Sequence, residues 1–251
     1  MHIFFTIIYQ PIYNLLIGFY NIFGDFGIAI IILTLIIKAA LIPLSRKQIK
    51  SQKEMQELQP KIKELQKKYK NDKERLSKET MALYKKHKVN PAAGCLPLII
   101  QMVVFIAMYR VIKDLSENSS LVVHNEKLYS FISQPENING YFLGIMNLAE
   151  PNVALAIITA LAQFYQLKMM QTKNEKKEKN EEKKEKKGNT PDFASLMQKQ
   201  MLIIVPIMTL FIGLRFPSGL ALYWLTSTAF MIVQQWYIMH KEKKEMKEVK
   251  A

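Results

Sequence analysis

The chain of 251 residues has one cysteine, Cys95, so neither a disulfide framework nor a cysteine-rich metal site is open to it. Lys and Arg are absent before residue 27, and Asp and Glu are absent from five long apolar runs. The histidines, His2, His87, His124 and His240, all fall outside those runs. A proton-coupled transporter, an aspartyl or zinc intramembrane protease and a metal channel each need acidic or imidazole groups at depth. These absences exclude all of them. No Gly-rich loop runs into Lys-Ser or Lys-Thr, so nucleotide chemistry is not encoded. We expect no catalytic residue, no metal and no cofactor.

What the chain does have is 49% hydrophobic residues and a formal charge of +14. The apolar residues are gathered into runs at 27–44, broken only by Lys38, and at 94–109, 152–167, 201–214 and 220–239. That is not the composition of an ordinary soluble enzyme. A hydrocarbon layer of about 30 Å takes roughly 20 helical residues, and backbone inside it must satisfy itself. The expected fold is therefore an all-α integral membrane protein with transmembrane helices at 24–44, 94–114, 151–169, 193–214 and 219–239. Pro206 predicts a kink in the fourth.

The charge lies in the connections, which disfavours a folded basic face for nucleic acid; no specific nucleic-acid partner is expected. Residues 45–93 carry 15 basic against 6 acidic residues, 111–151 carry 2 against 5, 168–199 carry 10 against 6, and the tail from residue 240 carries 5 against 3. By the positive-inside rule the N-terminus is outside and the C-terminus cytoplasmic. Residues 115–150 are then extracytoplasmic, 170–192 form a charged cytoplasmic loop, and 240–251 a basic cytoplasmic tail. In 45–93, Met55, Leu58, Ile62, Leu65 and Tyr69 recur at helical spacing, and Leu76, Leu83 and Tyr84 resume it after Lys70-Asn71-Asp72. This predicts a cytoplasmic helical hairpin with a narrow apolar seam. Residues 1–23 lack a basic start and a cleavage site, and mix Phe and Tyr with Gln and Asn. They suit an interfacial amphipathic helix, the alternative being a sixth, uncleaved span.

Lys38 stands about six residues, or 9 Å, from the cytoplasmic end of its span. Snorkelling to the headgroups is one reading. The other takes it with the polar residues of the remaining spans: Thr34, Gln101, Gln163, Thr209, Trp224, Ser227 and Thr228, with Gln234 and Gln235 further along. Each alone serves as a helix-to-helix hydrogen bond or an anchor. Together with a cation they suggest a client-binding groove, wet and open to the cytoplasm.

The blocks "LTLIIKAALIPLS", "ELQPKIKELQKKY", "MALYKKHKVNPAAGCLPLIIQM" and "RFPSGLALYWLTS" followed by "QQ" resemble, in order and spacing, the YidC/Oxa/Alb family of membrane protein insertases. The resemblance runs from about Pro11 to Gln235. It implies a five-helix core around a hydrophilic groove open to the cytoplasm and to lipid but shut outside, in a multi-pass protein of the bacterial plasma membrane. It also implies that Lys38 takes the place of the family's groove arginine. That is a departure, because a lysine in a dry site can lose its proton. The chain looks like a short form, without the extra N-terminal span and large extracytoplasmic domain of many members. The function implied is insertion and folding of client transmembrane segments without nucleotide hydrolysis. The expected partners are nascent membrane proteins and the lipid bilayer, with the Sec translocon and the ribosome as candidate further partners. A small polar-cavity channel or carrier is the rival reading, though a carrier would show an internal repeat or paired broken spans, and none is found.

Overall fold

The computed structural model describes residues 2–90, 96–117, 120–170 and 193–248. Cys95, nearly all of the charged loop expected over 170–192 and the end of the basic tail lie outside them. The chain begins with α1 (His2–Phe4), a π-helical stretch (Phe5–Tyr9) and α2 (Gln10–Phe23). Pro11 stands where the π-helical stretch passes without a break into α2. Gly24, at φ 68°, ends the helix, its N–H donating to the Tyr20 carbonyl, because the left-handed cap suits a residue without Cβ. Asp25 then caps α3 (Phe26–Ala40) by accepting from the Ile28 N–H at 2.9 Å.

α3 passes at Leu41 into α4 (Ile42–Lys68), with Pro43 in the first turn and a bend of 63° between the two axes. The turn at 69–72 leads to α5 (Lys73–Lys86), capped by Asp72. Leu58, Ile62 and Val89 are buried between these two helices. α6 (Leu96–Leu115) follows, then a crossing segment, α7 (Val153–Met170), α8 (Phe193–Arg215) and α9 (Ser218–Glu248). Pro206 lies inside α8 without interrupting it.

The all-α expectation needs one correction. The crossing segment holds two small antiparallel pairs, β1 (Ser116–Glu117) with β2 (Ser120–Leu121) and β3 (Tyr141–Phe142) with β4 (Met146–Asn147). Leu143 and Gly144, both at positive φ, turn the second hairpin, and the Leu143 N–H donates to Asp25 Oδ2 at 2.7 Å. One carboxylate thus starts α3 and docks the hairpin over it. Strands escaped the sequence reading because these residues lie between the apolar runs, where pairing is too short for alternation to register.

No single helix among the described residues is long and apolar enough to cross a membrane by itself, whereas α3 and α4 together pass. In α7 and α8 the apolar stretches, Val153–Met169 and Gln200–Arg215, are short; in α9 the reason is composition. Counting uncharged residues makes a run of span length, but averaging hydropathy includes Thr226, Ser227, Thr228, Gln234 and Gln235. Large apolar side chains nevertheless cover the outside of α7 and α8: Ile157, Ile158, Leu161, Ile203, Ile204, Ile207 and Phe211 are exposed. A band of that extent is a liability in water and ordinary against lipid.

α9 is the hub, packing on α3, α6, α7 and α8. The core is at one end of the bundle. Phe26, Ala29, Ile30 and Leu33 of α3, Met108, Ile112 and Leu115 of α6, Leu220 and Tyr223 of α9, Tyr13, Leu16 and Ile17 of α2 and Leu148 are at most 1% exposed. These are the halves of the helices nearest the crossing segment. The opposite halves leave a cavity.

Candidate functional site

A cavity at this end spans about 550 Å³, open solvent included. Thr34, Lys38, Ser45 and Gln48 bring one polar stripe to it across the α3–α4 bend, facing Gln101 of α6 and Tyr223 and Gln234 of α9. Gln101 organises the floor. Lys38 Nζ donates to Gln101 Oε1 at 2.8 Å, Ser227 Oγ reaches the same oxygen at 3.3 Å, and Gln101 Nε2 donates to the Tyr223 hydroxyl at 2.9 Å. Among the described residues no carboxylate pairs with Lys38. Thr34 Oγ1 donates to the Ile30 carbonyl within its own helix. The result is a half-buried cation held by a neutral amide, with donors to spare.

Gln163, Trp224 and Thr228 are not part of that cluster. Trp224 Nε1 donates to Gln163 Oε1 at 2.7 Å, Thr228 Oγ1 reaches it at 3.3 Å, and Gln163 Nε2 donates to Gln166. Thr209, bonded to the Val205 carbonyl, lines with Trp224 and Thr159 a second, smaller cavity of about 230 Å³. Residues 223 and 227 share one face of α9, and 224 and 228 share the next, about 100° around. Adjacent stripes on one helix look like a single polar patch in a sequence, and only the partner helices separate them. The single groove set expected from the sequence is therefore divided, with Lys38, Thr34, Gln101 and Ser227 on one side of α9 and Gln163, Thr209, Trp224 and Thr228 on the other.

Several cavity residues were missed. Tyr223 is one turn before Ser227, and its spacing was available. Ser45 and Gln48 continue the Lys38 stripe at +7 and +10, beyond residue 44, where the sequence reading closes the span. Gln234 Nε2 donates to Ser45 Oγ at 2.9 Å, bridging α9 and α4 across the lining of the cavity.

The closed end has its own polar knot. Asp114 Oδ2 accepts from the Tyr9 hydroxyl at 2.6 Å and from Lys127 Nζ at 3.0 Å, the Tyr13 hydroxyl accepts from the His124 N–H, and Asn14 bonds the backbone of Lys127 and Tyr129. Burial, and then the hydrogen bond to Asp114, push the Tyr9 phenol up, so it remains the donor. The N-terminal helix is thereby tied to α6 and to the crossing segment.

The model of the 60 kDa inner membrane protein family matches residues 18–246. A membrane protein insertase YidC of Pelobacter propionicus is 37% identical over 237 residues, covering 93% of this chain and 39% of the relative. Its namesake in Fusobacterium nucleatum is 35% identical over 218 residues, covering 87% of this chain and 88% of the relative. One from Oceanobacillus iheyensis is 38% identical over 234 residues, covering 91% and 81%. An active YidC insertase crystal structure, with the first transmembrane domain resolved, is similar at a TM-score of 0.59 and 26% identity, covering 93% of this chain and 47% of that one. The chain thus spans about two fifths of the Pelobacter relative and most of the Fusobacterium and Oceanobacillus ones.

Proposed function

The chain belongs to the 60 kDa inner membrane protein family, many of whose relatives are named membrane protein insertase YidC, and from that premise we propose that it inserts client transmembrane segments through the Lys38 cavity. The observation that carries this reading is a cavity that runs from a closed core to the first turns of the basic helix α4, with a cation on its wall that no carboxylate pairs among the described residues. A carrier needs access from both sides in turn. A chamber that shortens the crossing needs one.

The energetics require no fuel. A client of about 20 apolar residues gains on the order of 6 to 12 kcal/mol on insertion. The barrier is its polar flank, where each Asp costs roughly 2.5 to 3.5 kcal/mol at mid-bilayer. A hydrated half-depth cavity removes part of that path. Lys38 offsets an acidic group while it waits there, and an outside-positive potential adds about 2.3 kcal/mol per negative charge per 100 mV outward. Lys38 Nζ is turned to Gln101, which favours a groove role over snorkelling. The second cluster, through Trp224 and Gln163, braces α9 against α7.

The proposed arrangement has five spans, the N-terminus and crossing segment outside, and the hairpin, the 170–192 loop and the C-terminus in the cytoplasm. A topology reporter after Val249 reads cytoplasmic, and one at Asn139 reads outside. A cytoplasmic reading at Asn139 would overturn it. Purified protein in liposomes inserts a short single-span client faster than empty liposomes do, and without nucleotide. Equal rates would remove the insertase reading for this chain.

A further inference from the structure

Among the described residues, the cavity wall holds one buried polar atom without a partner, and the insertion mechanism above does not use it. Gln48 of α4 is 8% exposed and lines the cavity, and its Nε2 has no hydrogen-bond partner among the described residues. The other polar side chains of the wall are engaged: Lys38 and Tyr223 with Gln101, Ser45 with Gln234, and Thr34 with its own helix. Folded proteins seldom leave a buried N–H without an acceptor, since its lost hydration is not returned. The Gln48 side chain lines the cavity although Nε2 itself is almost out of reach of solvent, and a turn about the loosely held terminal torsion of the amide presents the donor to a ligand.

Its place narrows what the ligand is. Gln48 lies ten residues beyond Lys38, about 15 Å along the helices, on the hairpin side of the 63° bend. The Ser45–Gln234 bridge lies on the same side of the bend. A chain segment entering from the hairpin end meets Gln48 before Lys38. The amide is neutral and offers a donor, so it takes an uncharged oxygen well, while a carboxylate gains more from the ammonium of Lys38. A segment that has left water but not yet formed a helix carries an unpaired carbonyl at every residue, and each needs a donor in a low-dielectric site.

We propose that Gln48 is a main-chain docking point: its Nε2–H donates to a backbone carbonyl of the entering client and holds the segment ahead of Lys38, whatever the client's sequence. This rests on the insertase reading and divides recognition into two parts, a sequence-blind contact on the hairpin side of the bend and a charge-sensitive one deeper in.

The test uses the full chain in liposomes and two single-span peptides of about 20 Leu and Ala residues, one with a neutral flank and a twin with one Asp. Gln48→Met keeps the length of the side chain and removes the donor, and Gln48→Leu is the second variant. Both slow the two peptides equally, by about 2- to 10-fold, the worth of one hydrogen bond, with melting temperature unchanged or raised because an unsatisfied group is gone. A wild-type rate in either folded variant overturns the proposal, as does a defect confined to the Asp twin. A defect that vanishes in ether-linked lipids, which lack ester carbonyls, would assign the acceptor to lipid and also overturn it. A lowered melting temperature in both variants would make Gln48 a structural residue. If the wild type itself inserts neither peptide, the insertase reading fails, and this inference with it.

Discussion

Lys38→Gln slows insertion of a client carrying one Asp in its translocated flank by about ten-fold, and leaves a neutral-flanked twin within about two-fold of the wild type. The size follows from the cost of the acidic group. If Lys38 offsets about half of the roughly 2.5 to 3.5 kcal/mol that an Asp loses at mid-bilayer, its removal returns about 1.4 kcal/mol to the barrier, a factor of ten. Lys38→Glu adds repulsion and is slower still for the acidic client. Lys38→Arg keeps the charge and a donor to Gln101, and remains active. Equal slowing of both twins by Lys38→Gln would mean that the ammonium does not act on the client and serves only to hold Gln101 and, through it, Tyr223 and Ser227.

Gly213→Ala lowers stability by about 1 to 3 kcal/mol, and Gly213→Leu by more, because α7 and α8 touch at this glycine. A Cβ there stands 2.7 Å from Ala156 Cβ and 3.1 Å from its Cα. Neither atom is the end of a flexible chain, so the helices must separate, and overpacking of this kind costs about that much. The separation also opens the smaller cavity that Gly213 lines with Thr209 and Trp224. In a chain of this length the midpoint of thermal unfolding falls by several degrees, at about 2 to 4 °C per kcal/mol. Ala156→Gly combined with Gly213→Ala recovers part of the loss, since it removes the nearer of the two atoms struck and leaves the Cα. An unchanged melting curve for Gly213→Ala, or no recovery in the double variant, would show that the helices do not meet there.

The features legible in the sequence are the local ones. Helices α3, α6, α7, α8 and α9 announce themselves as uncharged runs, and the turn between α4 and α5 as a polar break closed by a capping aspartate, Asp72. Lys38 is conspicuous as the lone charge in its run. What could not be read depends on distant partners. Tyr9 meets Asp114 across 105 residues of chain, and Leu143 meets Asp25 across 118, so the knot that closes one end of the bundle leaves no local pattern. The division of the polar residues follows the same logic. Trp224 and Tyr223 are neighbours in sequence but turn to Gln163 on α7 and Gln101 on α6. Gln48 was invisible for another reason: it lies past Pro43, in a segment whose charge density marks it as solvated, yet the bend at Leu41 folds its first turns back over the cavity.

The central claim is that a client occupies the Lys38 cavity during insertion. Photoreactive side chains placed at Ile100 and Val104, which line the cavity without a polar role, and at Met108, sealed in the closed core one turn further on, test it directly with a client halted part-way in. Adducts from positions 100 and 104 and none from 108 are the expected result. Insertion that proceeds at the normal rate with no adduct from either cavity position would contradict the account.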